Sequence, residues 1–307
     1  MHLTSPQLLP AAGRSAHKVY RVGRGNRDMT IRNAEVGDLD AIADLAQDQR
    51  LRQQAWAPTF WALAPNAREV HPLFLRVTLG SGRSISLVAS GAGSAAGFVT
   101  ASPLSLDVDT DPTWVVDDVG VAAPNHWDRV GRALLAAVAG RAHRLGATRI
   151  VVPCAVADRM RRAALVAAGL DLNCWYRHRR LDVASALLLD EPDDEPGLPL
   201  PHLHGLSALA ITGAPVAVPG GQALLSPPIA PPPVYRPGGT TGLADPVVAG
   251  DTTELARLVA AVETQSRDRG DVALLVVAGP GEEPLDALLD RRGYDRPVEW
   301  WVLRPRS

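Results

Sequence analysis

The chain has 307 residues, of which 46% are hydrophobic and 21% are charged, a balance typical of soluble globular proteins with one or two domains. Its formal net charge of -2, without a basic cluster, argues against a nucleic-acid partner, and no apolar run is long enough to predict a membrane span. Cys154 and Cys174 are the two cysteines and form neither a disulfide framework nor a zinc pattern, so a reduced, cytoplasmic setting is expected.

Residues 1–28 are rich in arginine and contain no acidic residue before Asp28. This composition is compatible with a targeting peptide, but the segment has neither an apolar core nor a helical stripe. We interpret it as a disordered leader or an over-extended start, and we place the beginning of the first domain at Met29.

The segment 29–182 alternates strand and helix patterns. A strand at the start is broken by Gly37-Asp38, and apolar residues then recur at helical spacing. The later predicted elements are one or two helices within 51–80, a hairpin over 84–101, a strand over 114–121, a helix over 130–145, a strand over 149–154, a helix over 159–168 and a strand over 173–180. This order predicts a mixed α/β sheet with helices on its faces.

An acidic, proline-rich stretch predicts a linker, which we place at residues 183–205. Proline and glycine stay dense through 214–242, which is either a loop-rich ordered region or partly mobile. Helices are then predicted over 253–262 and 283–292, and strands over 272–278 and 298–303. His202 and His204 have a metal-like spacing but no third ligand in view, so no metal site is predicted.

An offset of 124 residues pairs Gly169 with Gly293 and Val152 with Val276. The same offset relates Val138 to Val262, so a single register covers helix, strand, helix and glycine. The sequence therefore predicts a tandem duplication, with a reduced second copy at residues 206–307.

Residues 119–135 carry the clearest chemical pattern. A strand ends, a polar turn follows, and a helix is predicted to begin near Val130-Gly131. Main-chain N–H groups at a helix N-terminus have no internal partner and can hold a pyrophosphate, and Arg129 and Arg132 add positive charge.

This stretch resembles the acetyl-CoA-binding motif of the GNAT acetyltransferase superfamily, in which a Val-x-Pro strand end precedes Arg/Gln-x-x-Gly-x-Gly/Ala and two leucines. Val121 takes the place of the strand valine, and Leu134-Leu135 the place of the leucine pair. His126 replaces the first Arg/Gln, Arg129 replaces the first glycine, and Gly131 keeps the last position. The element order, the Thr-Ile-Arg opening at residue 30 and Gly169-Leu170 also match the family pattern.

The resemblance implies acetyl-CoA as acyl donor and an amine of a small molecule or peptide as acceptor, with a homodimer possible. It places the pantetheine arm along the strand end and the pyrophosphate at the turn. The cofactor-binding residues so implied are Val119, Gly120, Val121, His126, Trp127, Asp128, Arg129, Val130, Gly131 and Arg132.

The family positions for acid and base are replaced here. A tyrosine is frequent where this chain has Leu165, and a glutamate where it has Val115. Asp117 and Asp118 are the nearest substitutes for the base, and strand alternation predicts that they point to opposite faces of the sheet. Tyr176 and His126 are weaker alternatives for proton transfer. Cys154 lies in an apolar strand and is interpreted as a core residue. Four aromatic residues either line an acceptor pocket or belong to the core: Trp56, Phe60, Trp61 and Trp114.

The second copy has a shorter connection, by about three residues, where the first has its polar turn. Asp251 and Glu254 would repel a phosphate there, and Thr252 or Thr253 is expected to cap the helix. We therefore expect that this copy does not bind CoA and that it covers part of the acceptor cleft of the first. Two functions follow: an acetyl-CoA-dependent N-acyltransferase that works by direct transfer, or a catalytically inactive acyl-CoA-binding or scaffold protein.

Overall fold

A computed structural model describes residues 20–21, 29–91, 94–104, 112–181, 213–236 and 238–304. They form one mixed sheet of twelve strands with six helices, which confirms the predicted mixed α/β class. Of the predicted leader, only the short strand Tyr20–Arg21 is described, and the predicted linker lies outside the described residues, as do His202 and His204. Within the described part, no helix is long and apolar enough to cross a membrane.

The first half contains seven strands and four helices. The strands are β1 (Tyr20–Arg21), β2 (Thr30–Asn33), β3 (Ile85–Gly91), β4 (Ser94–Leu104), β5 (Thr113–Val121), β6 (Arg149–Ala155) and β7 (Asp171–Arg180). The helices are α1 (Leu39–Trp56), α2 (Ala67–Ser81), α3 (Arg132–Arg144) and α4 (Arg159–Ala167).

The second half adds five strands and two helices. They are β8 (Ala214–Val218), β9 (Gly221–Leu225), β10 (Thr241–Ala249), α5 (Thr252–Asp268), β11 (Ala273–Ala278), α6 (Glu283–Arg291) and β12 (Asp295–Leu303). Across the sheet the strand order is β1-β2-β3-β4-β5-β6-β12-β7-β11-β10-β9-β8.

Two local predictions need correction. The helix expected to start near Val130 is preceded without a break by a 3-10 turn at Pro124–His126 and a π turn at Trp127–Gly131. Proline suits the first turn of a helix because its missing N–H would have no partner there, which favours this early start. The β8–β9 hairpin was not predicted, because proline and glycine obscure its short strands.

The predicted duplication is confirmed by the element bounds. The 124-residue offset carries α4 onto α6 residue for residue, and it carries the first residue of β6 onto that of β11. It also pairs Gly146 with Gly270 and Gly169 with Gly293, all four with positive φ. These glycines end equivalent helices in a conformation that a Cβ disfavours, which is why they recur.

The two halves exchange their last strands. β12, from the second half, lies between β6 and β7 and is antiparallel to both. β7, from the first half, in turn lies between β12 and β11. The second half therefore shares one continuous sheet with the first.

The two faces of the sheet carry different layers. In β7, Trp175 packs with the helices of the second half, whereas Cys174 and Tyr176 belong to a cluster on the opposite face. Alternation along the strands thus places α3 to α6 on one face. Helices α1 and α2 cover the other face, where Leu39 and Leu75 pack against Phe98 of β4.

Candidate functional site

A gap opens in the sheet between β5 and β6. These parallel strands pair over three positions, from Thr113 with Arg149 to Val115 with Val151. Beyond Val115, no pairing with β6 is described for the rest of β5. Main-chain groups on that side of β5 are thus available to an extended ligand, which can bond to them as an added strand would.

A β-bulge at the opening of the gap changes the direction of two acidic side chains. Ala101 of β4 pairs with Val116 and Thr100 pairs with Asp118, so Asp117 is an extra residue in β5. Val116 and Val119 consequently share one core cluster although they are three residues apart. The prediction that Asp117 and Asp118 point to opposite faces is therefore wrong, because both lie on the face covered by α1 and α2.

Asp117 is held in a poorly solvated position. The Ser102 hydroxyl donates to Asp117 Oδ2 over 2.5 Å. Burial raises the pKa of Asp117 to about 6, although the Ser102 hydrogen bond lowers it. This carboxyl can exchange a proton close to neutral pH, as a general base must.

Asp118 instead belongs to a buried ionic cluster. It accepts a hydrogen bond from Arg50, whose side chain is 7% exposed, and it lies 3.4 Å from His71 Nε2. Burial lowers the pKa of His71 to about 4, so this imidazole is neutral at pH 7. Arg50 Nη1 and His71 Nδ1 are buried with no hydrogen-bond partner among the described residues. Arg50 Nη1 can therefore donate to a polar ligand, and His71 Nδ1 can accept from one, since the neutral ring carries its hydrogen on the Nε2 that faces Asp118.

Tyr235 reaches this cluster from the second half. Its neighbours bond to the loop between α1 and α2, where Arg236 N donates to Ala62 O over 2.8 Å. The Tyr235 ring lies 5.5 Å from that of Trp61. Burial raises the pKa of the Tyr235 phenol to about 12, against a hydrogen bond from Arg50. Sequence reasoning missed Tyr235, which is the one tyrosine of a proline-rich stretch.

The predicted phosphate-binding turn is helical. His126 N donates to Ala123 O, and Trp127 N donates to Pro124 O, so these N–H groups serve the helix. A Cβ at Gly131 would lie 2.2 Å from the buried ring of Trp127. Gly131 is thus required for the packing of Trp127, and the open polar turn that was expected before Val130-Gly131 is instead helical.

Cationic side chains remain at this end of α3. Arg129 is exposed, and Arg132 is 45% exposed and lies 3.2 Å from Asp128. Arg161, at the start of α4, stacks 5.2 Å from the centre of the Trp127 ring and is 4% exposed. At this end of α3 lie Asp128, Arg129 and Arg132, three of the residues proposed from the sequence, and Arg161, which carries no sequence motif.

The other predicted residues lie in the interior. Val119, Gly120 and Val121 are buried on β5, beside the gap. Burial raises the pKa of Cys154 to about 12, which agrees with its interpretation as core. Tyr176 is buried with Trp300 in the mid-sheet cluster, where burial raises its pKa well above the ordinary value.

The four aromatic residues do not form one pocket. Trp114 is buried on the face of α3, whereas Phe60 and Trp61 pack together on the opposite face. Trp56 is 39% exposed at the end of α1. Of the four, Trp61 contacts Tyr235, and Phe60 packs against Trp61.

The second copy begins its helix differently. Asp251 caps α5 by accepting from Thr253 N and Glu254 N, so the threonine cap that was expected is wrong. Thr241 pairs with Ala273 as Thr113 pairs with Arg149, which makes the connection four residues shorter in this copy. No group of three or more residues that could hold a metal is found in the described part of the chain.

Protein-family models and curated proteins give no match to the chain. Among solved structures, a putative acetyltransferase from Pyrococcus horikoshii aligns at 11% identity and a TM-score of 0.45, over 94% of each chain. A tandem GNAT protein from the clavulanic acid biosynthesis pathway aligns at 14% identity and 0.42, over 91% of this chain and all of its own. The tandem protein carries the name of the family that the sequence resembles. A predicted acetyltransferase with acetyl-CoA from Clostridium acetobutylicum aligns over 47% of this chain and 90% of its own, at 11% identity and a TM-score of 0.38.

Proposed function

We propose that the first half of this protein is an acetyl-CoA-dependent N-acyltransferase that transfers an acetyl group directly to an amine of a small molecule or peptide. The observation that carries this proposal is the gap between β5 and β6. It combines an unpaired strand edge with a carboxyl of raised pKa, Asp117, at its opening. We place the amine acceptor on the side of α1 and α2, under Tyr235.

The residues of the gap fit the amide-containing arm of acetyl-CoA. Val119 and Val121 pair with β4 on one side, while no β6 pairing is described for them on the other. The phosphate end would rest on the side chains of Arg129 and Arg132, because the main chain near Trp127 is engaged in the helix. Bound acetyl-CoA would supply an activated thioester carbonyl.

Asp117 and Tyr235 are the groups we assign to proton transfer. Asp117 takes the proton that the attacking amine must lose, since its raised pKa lies near the operating range of a base. Tyr235 has a protonated phenol at neutral pH and lies beside Arg50, so it can donate to a departing thiolate. Asp118 holds Arg50 and is a positioning residue.

One observation favours the alternative, a non-catalytic protein that binds an acyl-CoA or serves as a scaffold. The ring of Trp127 is buried against Gly131, where related motifs leave bare main chain for a phosphate. Without that main-chain phosphate site, cofactor binding would be weaker even with the β5–β6 gap and Asp117 in place.

Calorimetric titration with acetyl-CoA, followed by a thiol-release assay over a panel of primary amines, tests the proposal. We expect one site per chain, with affinity reduced about tenfold by the double change Arg129→Glu and Arg132→Glu, since phosphate contacts to arginine are charge-assisted. Arg257 is an exposed residue of α5 in the second half, so Arg257→Glu reverses a charge away from the proposed site and serves as the control.

The outcomes separate the two functions. Binding with turnover that is lost in Asp117→Asn supports the enzyme. Binding without turnover on any amine supports the non-catalytic alternative, and no binding at millimolar acetyl-CoA contradicts both.

A further inference from the structure

A cleft lies between α3 and the turn that joins α4 to β7. Its volume is about 390 Å³, within the range of roughly 300–1,000 Å³ that is usual for small-molecule sites. Its walls are aliphatic: Ala133, Leu135, Ala136, Val138, Ala139, Ile150, Val152, Ala168, Leu170 and Leu303. Asp128, Arg129 and Arg132 line the remaining end.

The second half fills the equivalent space with a polar network. Glu263, which is 4% exposed, accepts hydrogen bonds from Arg292 and from the Tyr294 hydroxyl over 3.0 Å. Arg179 adds a further bond to the same carboxylate over 3.1 Å. Four side chains from α5, β7 and the turn between α6 and β12 thus close this space with hydrogen bonds to Glu263.

The duplication makes the comparison direct. The 124-residue offset places Ala139 opposite Glu263, Ala168 opposite Arg292 and Leu170 opposite Tyr294. Because the last strands are exchanged, Leu303 of β12 takes the place that Arg179 of β7 has in the other copy. All four small or aliphatic replacements line the cleft.

The cationic end is also particular to the first half. At the same offset, Asp128, Arg129 and Arg132 correspond to Thr252, Thr253 and Ala256, which carry no charge. Arg132 is paired with Asp128, whereas no ion pair is described for Arg129. The cleft end therefore has one uncompensated positive charge.

We infer that this cleft binds an amphipathic monoanion, an aliphatic chain whose carboxylate rests at Arg129. The aliphatic walls fit an alkyl chain, because burying apolar surface is the main favourable contribution there. A single net positive charge matches one carboxylate, with an Arg–carboxylate contact fixing the orientation of the ligand. The cleft shares Arg129 and Arg132 with the proposed phosphate contact of acetyl-CoA, whereas its aliphatic walls have no part in that proposal, so the variants that separate the two functions change the walls.

Calorimetric titration of the full chain with sodium decanoate, below its micelle concentration, tests the inference. We expect one site per chain, at least tenfold weaker binding of decanol, which lacks the charge, and no binding of acetate, which lacks the chain. Arg129→Glu should weaken decanoate binding at least tenfold, while Arg76→Glu, an exposed charge reversal on α2, should change it less than twofold.

Two variants fill the cleft. Ala139→Leu adds a larger side chain to its wall. The triple change Ala139→Glu, Ala168→Arg and Leu170→Tyr copies a network that the second half already accommodates, so at least one folded variant is expected. Both should lose at least tenfold in decanoate affinity and keep the acetyl-CoA affinity of the parent chain, which separates this inference from the proposed enzyme function. Absence of decanoate binding to the parent chain, or unchanged affinity in a filled and folded variant, would overturn it.

Discussion

Asp117 and Asp118 are adjacent in sequence, yet the same substitution should change stability in opposite directions. The pKa of Asp117 is raised from 3.8 to about 6 by burial. Its folded-state pKa therefore exceeds its unfolded-state value, so a bound proton stabilises the folded chain at low pH, and this contribution is lost as pH rises through about 6. Ionised Asp117 is consequently destabilising at neutral pH.

The magnitude follows from that pKa change. Because each pKa unit is about 1.4 kcal/mol, the raised pKa of Asp117 lowers the free energy of unfolding by about 3 kcal/mol at pH 8 and by about half of that at pH 5. Asp117→Asn removes this cost and can still accept the hydrogen bond from Ser102. We therefore expect it to raise the free energy of unfolding by about 1–3 kcal/mol at pH 8, and by less at pH 5.

Asp118→Asn is the matched control. It removes the negative charge from a carboxylate that contacts Arg50, whose side chain is 7% exposed. A buried cation that loses its partner is expected to cost about 2–3 kcal/mol, since asparagine keeps one carbonyl oxygen in place.

Urea unfolding at pH 8 and pH 5, followed by tryptophan fluorescence and circular dichroism, measures both effects. Destabilisation by Asp117→Asn at pH 8, or equal effects of the two substitutions, would refute the assignment of a desolvated carboxyl to Asp117. A gain that does not shrink at pH 5 would show that its cause is not ionisation.

Two further predictions concern packing. Asp286→Ala should lower the free energy of unfolding by about 2–3 kcal/mol, because Asp286 contacts Arg177 at 2.6 Å and the Arg177 side chain is 5% exposed. Asp290→Ala is the control: its carboxylate is 64% exposed, so its loss should lower the free energy of unfolding by less than about 1 kcal/mol. Equal losses in urea unfolding would contradict a buried pair that ties β7 to α6. Trp127→Ala should cost about 3–5 kcal/mol in the same assay, since the ring is fully buried, and a loss below about 1 kcal/mol would show that the ring is not part of the core.

Much of the fold was predictable from local sequence patterns. The bounds of α4 and β6 agree with the prediction within one residue, because periodicity and a helix-ending glycine are read from neighbouring positions. The duplication was visible for the same reason, since Gly169 and Gly293 end equivalent helices. Along α3 the pattern predicted the helix but not its start, because Pro124 and Trp127 extend it through packing that apolar spacing does not report.

The candidate site was less accessible. Asp117 and Asp118 were identified from their strand, but their common direction depends on a bulge that is defined by pairing with β4. Arg50, His71 and Tyr235 come from distant segments and meet Asp118 only after folding. No local pattern distinguishes such residues from ordinary buried or loop positions.

The sequence by itself determined the order of most strands and helices, though not the β8–β9 hairpin, together with the repeat and the stretch that carries the resemblance. Tertiary structure alone decided that β12 and β7 exchange places, which lets Leu303 line the cleft of the first half and Arg179 close that of the second. The physical reason is that helix period, capping and glycine conformation depend on residues a few positions apart. Strand exchange, bulge register and cavity filling depend instead on side chains that are distant in the chain and become neighbours only in the folded protein.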